Sequence, residues 1–229
     1  DDPGKNSPLD FDVGDTITLE AWVDLHAIGE GQNIYVLGKG RTNNQGFARE
    51  NQNYALRLRG VDGTARVSFL FRSRDGGKNS APEYHRWNSD IGFKPGSGWH
   101  HLAVSYTFGQ PDSICGFLDG KPVAGSWDMG DATKSAPVVD DDQLWIGSAL
   151  GGSANNTCSG LIDEVASYRH ALSKQNIDDR YRIDAPEPIA PPVEMTEAGV
   201  GKVLVQPFDG VTEAISASSV DIAVIFSNN

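Results

Sequence analysis

Cysteine is scarce in this chain: 229 residues carry two, Cys115 and Cys158. Two thiols so placed cannot make a CxxC redox pair or a four-ligand zinc site. They leave two readings, a disulfide closing a loop worth roughly 4 kcal/mol of chain entropy, or two buried free thiols. Long apolar runs are missing too. Nothing approaches the about 18 residues that a membrane-spanning helix needs, and no basic segment followed by an apolar run marks a signal peptide. A mature, processed chain and an excised piece both fit. Positive charge is in deficit, with 19 Lys and Arg against 31 Asp and Glu and a net charge of −12. Nucleic-acid affinity comes from counterions released at Lys/Arg contacts, so DNA and RNA are excluded as expected partners. Catalytic signatures are absent as well: no Gly-x-Ser-x-Gly elbow, no HExxH helix and no phosphate-binding glycine loop.

What is present is punctuation and alternation. Gly (26) and Pro (12) divide the chain into short segments, which suggests tight turns rather than long helices. TITLEAWVDL alternates strictly, with Ile17, Leu19, Ala21, Val23 and Leu25 on one face. IYVLGKG, WHHLAVSYTF, SICGFLDGKPV and QLWIGSA read as further strands. YALRLRG and ARVSFLFRSR form a hairpin around Val61-Asp62-Gly63-Thr64. Two polar stretches, 75–98 and 124–142, are expected to be long loops. Ser173 is placed to cap one short helix, Lys174–Tyr181. Residues 184–201 are a Pro-rich linker, and 202–229 hold two more strands, KVLVQPF and VDIAVIF. That extension is too short for a core of its own, so it joins the main sheet, docks on a partner or begins another module. The organisation expected is a sandwich over 1–183, a linker and an extension; the fold class is all-β, an antiparallel two-sheet sandwich with one short helix near its end.

Charge is unevenly spread. Residues 1–30 hold eight acids and one lysine, whereas 39–78 hold nine Lys/Arg and three acids. Strand parity puts Arg57, Arg59, Arg66, Arg72 and Arg74 on one face of the hairpin, opposite Tyr54, Leu56, Leu58, Val67, Phe69 and Phe71. Guanidinium groups hold carboxylate and sulfate in a fixed fork geometry, so this row suits an anionic glycan such as a uronic acid or sulfated chain. The plainer alternative is a solvated outer face balanced by the acidic N-terminal segment. Tyr84, His85 and Trp87 fall in the first long loop and Trp127 in the second. Aromatic rings on such loops stack on sugars or plug the end of the core. His100 and His101 point to opposite faces of one strand and cannot chelate one metal.

The order TLEAWV, GWHHLAVSY, FLDGKPV, LWIGS, GLIDEVASY and ALS, over residues 18 to about 181, resembles the laminin-G-like branch of the concanavalin A-like lectin/glucanase superfamily. The resemblance implies a two-sheet jelly roll that binds carbohydrate or protein, and a structural Ca²⁺ site. In that family the Asp of the IDEV-type strand and an N-terminal carboxylate ligate the ion, which implies Asp163 with Asp1 or Asp2, or else Asp10 or Asp12. The alternative for Asp163 is to cap a turn or pair with Arg169. Glycosidases of the superfamily place two carboxylates about 5 Å apart through a Glu-x-Asp-x-x-Glu type run. None occurs here, so no enzyme activity is expected. The linker and KVLVQPF are similar to sequence that follows such modules in large bacterial envelope proteins with c-type cytochrome domains, although no CxxCH haem motif is present. The resulting expectation is a calcium-stabilised carbohydrate-binding module of a secreted, periplasmic or cell-surface protein. The alternative is a structural or protein-interaction module whose loops and 202–229 extension dock on neighbouring domains.

Overall fold

The computed structural model describes residues 2, 4, 7–73, 83–130 and 134–183, with the backbone of 225–227. The chain divides into two compact units, 1–186 with 225–229, and 187–224. All described residues belong to the first; the linker and KVLVQPF lie outside them.

The strands are β1 (Thr16–Leu25), β2 (Asn33–Lys39), β3 (Tyr54–Val61), β4 (Thr64–Arg72), β5 (Tyr84–Phe93), β6 (Trp99–Thr107), β7 (Cys115–Leu118), β8 (Lys121–Val123), β9 (Gly125–Met129), β10 (Leu144–Ile146), β11 (Gly160–Tyr168) and β12 (Ile225–Ser227). One helix, α1 (Lys174–Ile183), follows β11. The first sheet runs β12-β11-β1-β6-β7-β8 and the second β10-β2-β3-β4-β5-β9. All pairings are antiparallel except β11 with β12, so the end of VDIAVIF adds an edge strand to the first sheet. The architecture is a jelly-roll sandwich.

Alternation builds the core. The five apolar positions of β1 are fully buried and meet Leu56, Leu58, Val67, Phe69 and Phe71 from β3 and β4 across the sandwich. The β3–β4 hairpin turns at Asp62-Gly63, both at positive φ, the twist-matched two-residue turn expected of an Asp-Gly pair. Ser173 Oγ accepts the amide of Asn176 (3.1 Å), and Asn176 Oδ1 accepts that of Ser173 (3.2 Å), a reciprocal cap on α1. The helix lies on the outward side of the first sheet. Ile177 packs on Ala103 and Phe117, Tyr181 stacks on Trp22 at 5.4 Å, and Arg180 Nε donates to buried Glu20 (2.6 Å), which also accepts the Tyr168 hydroxyl.

Three expectations are corrected. The long polar stretches each contain a strand, β5 in 75–98 and β9 in 124–142. Trp87 and Trp127 therefore do not sit on loops. Trp87 is buried in the core, its ring pressed over Gly116 and Gly125, where an added Cβ would come within 2.3 Å of it. Trp127 packs edge-on to Phe71 (6.1 Å) and Tyr106 (5.5 Å). Trp87 thus takes the core alternative, and Trp127 is partly buried against the core. The disulfide is also absent: Cys115 and Cys158 are free. Cys115 starts β7, whereas Cys158 precedes β11, three strands away across β6 and β1. That separation is roughly 14 Å at the usual strand spacing, about twice what a disulfide spans. Burial pushes both thiols up, Cys158 to about 11.

Candidate functional site

With α1 on the first sheet, the outward face of the second has no helix over it among the described residues. Its floor is small: Gly38, Ala55 and Ser68 lie side by side with Leu70. Around them stand Arg57, Arg59, Arg66, Arg72 and Arg86, with Arg41 reaching in from the loop after β2. The hairpin parity that aligns four of these arginines holds, while Arg74 lies outside the described residues.

Arg57 is the centre, only 3% exposed. It sits over the Tyr35 ring (5.4 Å), and its Nη2 donates to Ser68 Oγ (3.3 Å); its Nε is buried with no acceptor among the described residues. Burial, reinforced by the positive charges of Arg86 and Arg41, brings its pKa down to about 10, so it stays protonated at neutral pH. Arg41 donates to the Tyr35 hydroxyl (3.1 Å) and lies over the Tyr84 ring (5.3 Å), which Arg72 also covers (5.5 Å). Tyr84 donates to Glu50, whose carboxylate also faces Arg41. Arg86 grips Asp128 in a two-bond fork (2.7 and 2.8 Å). The Asp128 carboxyl is partly desolvated, which would raise its pKa, but the Arg86 fork outweighs this and holds it below the usual range. Four acids of the N-terminal segment are paired away from this face, Asp2 and Asp10 with Lys39, Asp15 with Arg169 and Glu20 with Arg180.

One residue of the face escaped the motif reading. Trp145 pairs with Gly38, while its neighbours Leu144 and Ile146 pack toward the core, so its half-buried indole shares the outward face with the arginines. Its Nε1 donates to Gln143 (3.0 Å). The signal was there in the alternation Leu-Trp-Ile, but three residues are too few to fix a period.

The residues implied for calcium are not brought together. Asp163 lies on an outward bulge: β11 has an extra residue where Glu20 and Trp22 face Ala166 and Asp163, and Glu164 takes up positive φ (48°). Exposed Asp163 accepts the Glu164 amide (2.9 Å), which caps the bulge. Straight alternation across IDEV therefore fails, and Ile162 and Val165 both turn to the core. The N-terminal segment is held at the other end of β11. Arg169 donates to the carbonyls of Pro8 and Asp10, pairs with Asp15 (3.1 Å) and covers Phe11 (4.5 Å). Six residues of strand put Asp163 roughly 20 Å from that clasp. Asp2 and Asp10 both meet the fully buried ammonium of Lys39, and Asp1 lies outside the described residues. Burial raises the Asp2 pKa, but hydrogen bonds from Lys39, Gly4 and Ser7 outweigh it and lower the carboxyl below its ordinary value. No three His, Cys, Asp or Glu side chains converge among the described residues. The proposed Asp163–Asp2 pair does not fit a Ca²⁺ ion, which wants six to eight oxygens; an ammonium holds the N-terminal carboxylates instead.

The jelly roll and its open sheet face define a lectin-like fold. The chain belongs to a laminin-G-type family of the concanavalin A-like lectin/glucanases superfamily, whose model matches residues 4–178. Comparison with curated proteins gives no match. Among solved structures, the chain is similar to the binding domain of Paraclostridial Mosquitocidal Protein 1, at 12% identity and a TM-score of 0.51, over 78% of this chain and 39% of that one. It also matches the heptameric SAP-like pentraxin of Limulus polyphemus (15% identity, TM-score 0.49, 78% and 79% coverage). A third match is the Ruminococcus gnavus IT-sialidase CBM40 bound to α2,3-sialyllactose (15%, 0.48, 73% and 83%). The likeness to the toxin domain is one of fold. Among the described residues, no helix is long and apolar enough to cross a membrane.

Proposed function

We propose that this chain is a non-catalytic carbohydrate-binding module of a secreted, periplasmic or cell-surface protein, and that it takes an acidic glycan on the outward face of its second sheet. One observation carries the reading: Arg57, buried among Arg41, Arg86, Tyr35 and Ser68, keeps an Nε donor unmatched among the described residues, beside two like charges. A carboxylate or sulfate group fits such a donor set in fork geometry and relieves the repulsion. Trp145 at the margin supplies an apolar face for the sugar ring. The carboxylates on the face are engaged with cations, Glu50 with Arg41, Asp62 with Arg66 and Asp128 with Arg86, an arrangement that supports binding rather than glycosidic acid–base chemistry.

The test is a glycan array followed by titration of the hits. Acidic glycans should bind, bind more weakly as salt rises, and lose most affinity in Arg57→Gln and Trp145→Ala. A silent array, or neutral hits indifferent to salt and to both variants, sinks the reading in favour of a protein-docking module.

A further inference from the structure

The arginine face contains two places, not one, where like charges are held together. The first is the Arg57–Arg41–Arg86 group. The second is Arg59 with Arg66, which face each other directly in the β3–β4 register. Like charges directly opposite on a sheet destabilise it. Their neutralisation among the described residues is slight: Arg66 meets the highly exposed Asp62, at 3.7 Å, and Arg59 reaches Asn33 Oδ1 at 3.5 Å, while the carboxylate whose field it shares, Asp128, is already forked by Arg86. The Nε of Arg66, like that of Arg57, is buried without an acceptor among the described residues. Arg57 and Arg59 are two residues apart on one strand, so the seats are offset by roughly 7 Å along β3.

Building on the acidic-glycan reading above, we infer that the face holds two anion seats in series, and that its ligand is a linear polyanionic glycan with acidic groups recurring along the chain. A glycan ending in a single acidic sugar fills one seat and leaves the Arg59–Arg66 repulsion in place. Two seats on one rigid sheet make the second contact intramolecular, so affinity grows with ligand length.

Calorimetric titration of the whole chain with galacturonate monomer, trimer and hexamer, a sulfated heparin-type hexamer and sialyllactose tests this. The hexamers should bind at least about tenfold tighter than the monomer and than sialyllactose, and the stronger of the two identifies carboxylate or sulfate as the natural group. Arg66→Gln should bring hexamer affinity down toward that of the monomer, and should lower the salt slope of hexamer binding by about one contact. Arg66 is the third residue of β4, next to the hairpin turn, and a thermal melt matching the wild type keeps that result clear of misfolding. Monomer or sialyllactose binding as tightly as the hexamers, with Arg66→Gln silent, overturns the second seat and leaves the acidic-glycan reading standing. No binding to any of the five ligands overturns that reading as well.

Discussion

Lys39→Met removes the ammonium on which the N-terminal segment converges. The side chains of Lys39 and Asp2 are fully buried and that of Asp10 is 14% exposed, so the variant strands one buried and one largely buried carboxylate. Deleting one partner of a buried ion pair costs about 3–5 kcal/mol, against a total stability of about 5–15 kcal/mol for a typical domain. For a domain of this size the melting temperature should fall by roughly 6–20 °C. Thermal and urea denaturation would measure it. The triple variant Lys39→Met, Asp2→Asn, Asp10→Asn, which leaves no stranded charge, should recover most of the loss. Because the clasp rests on the Lys39 ammonium, EDTA should leave the melt of the wild type unchanged. A Lys39→Met variant that melts with the wild type, or a wild type destabilised by EDTA and restored by Ca²⁺, would refute this account of the N-terminal end.

Acid should loosen the same clasp. The Asp2 carboxyl is lowered in the folded state, so its contribution is complete above the unfolded value near 4 and is lost as pH falls through the lower folded value; Asp142, held by Thr42 and Asn51, adds loss in the same direction. A stability profile by urea titration should therefore stay flat from neutral to about pH 5 and drop below about pH 4. Gly125→Ala places a methyl group against the Trp87 ring and should cost about 1–3 kcal/mol, read as a lower denaturation midpoint. Both thiols should migrate as free cysteines on gels with and without reductant, and should react with a thiol reagent much faster once the chain is unfolded.

Parity made the arginine row legible before any coordinates, because Arg57, Arg59, Arg66 and Arg72 interleave with apolar residues that leave only one side for the core. The same logic missed β5. Its inward positions are His85, Trp87 and Ser89, so the buried side of the strand reads as polar, and the hydrophobic period vanishes. β9 offers one inward aromatic in five residues. Asp163 resists sequence reasoning for a different reason: a bulge inserts one residue, and every parity assignment beyond it flips. Lys39 lies beyond local reasoning altogether. An inward lysine at a strand end is intelligible only through Asp2 and Asp10, which the fold brings to it from the opposite sheet's leading segment.

The placement of the indoles has an optical consequence. Of five tryptophans, Trp87 and Trp127 are turned into the core, Trp22 lies under Tyr181, and Trp99 belongs to the first sheet. Trp145 alone shares a face with the arginines among the described residues. Ligand arriving there should shift the emission of a single fluorophore, while unfolding reports through the other four. A Trp145→Phe variant separates the two signals, giving one channel for occupancy and another for integrity of the fold in the same cuvette.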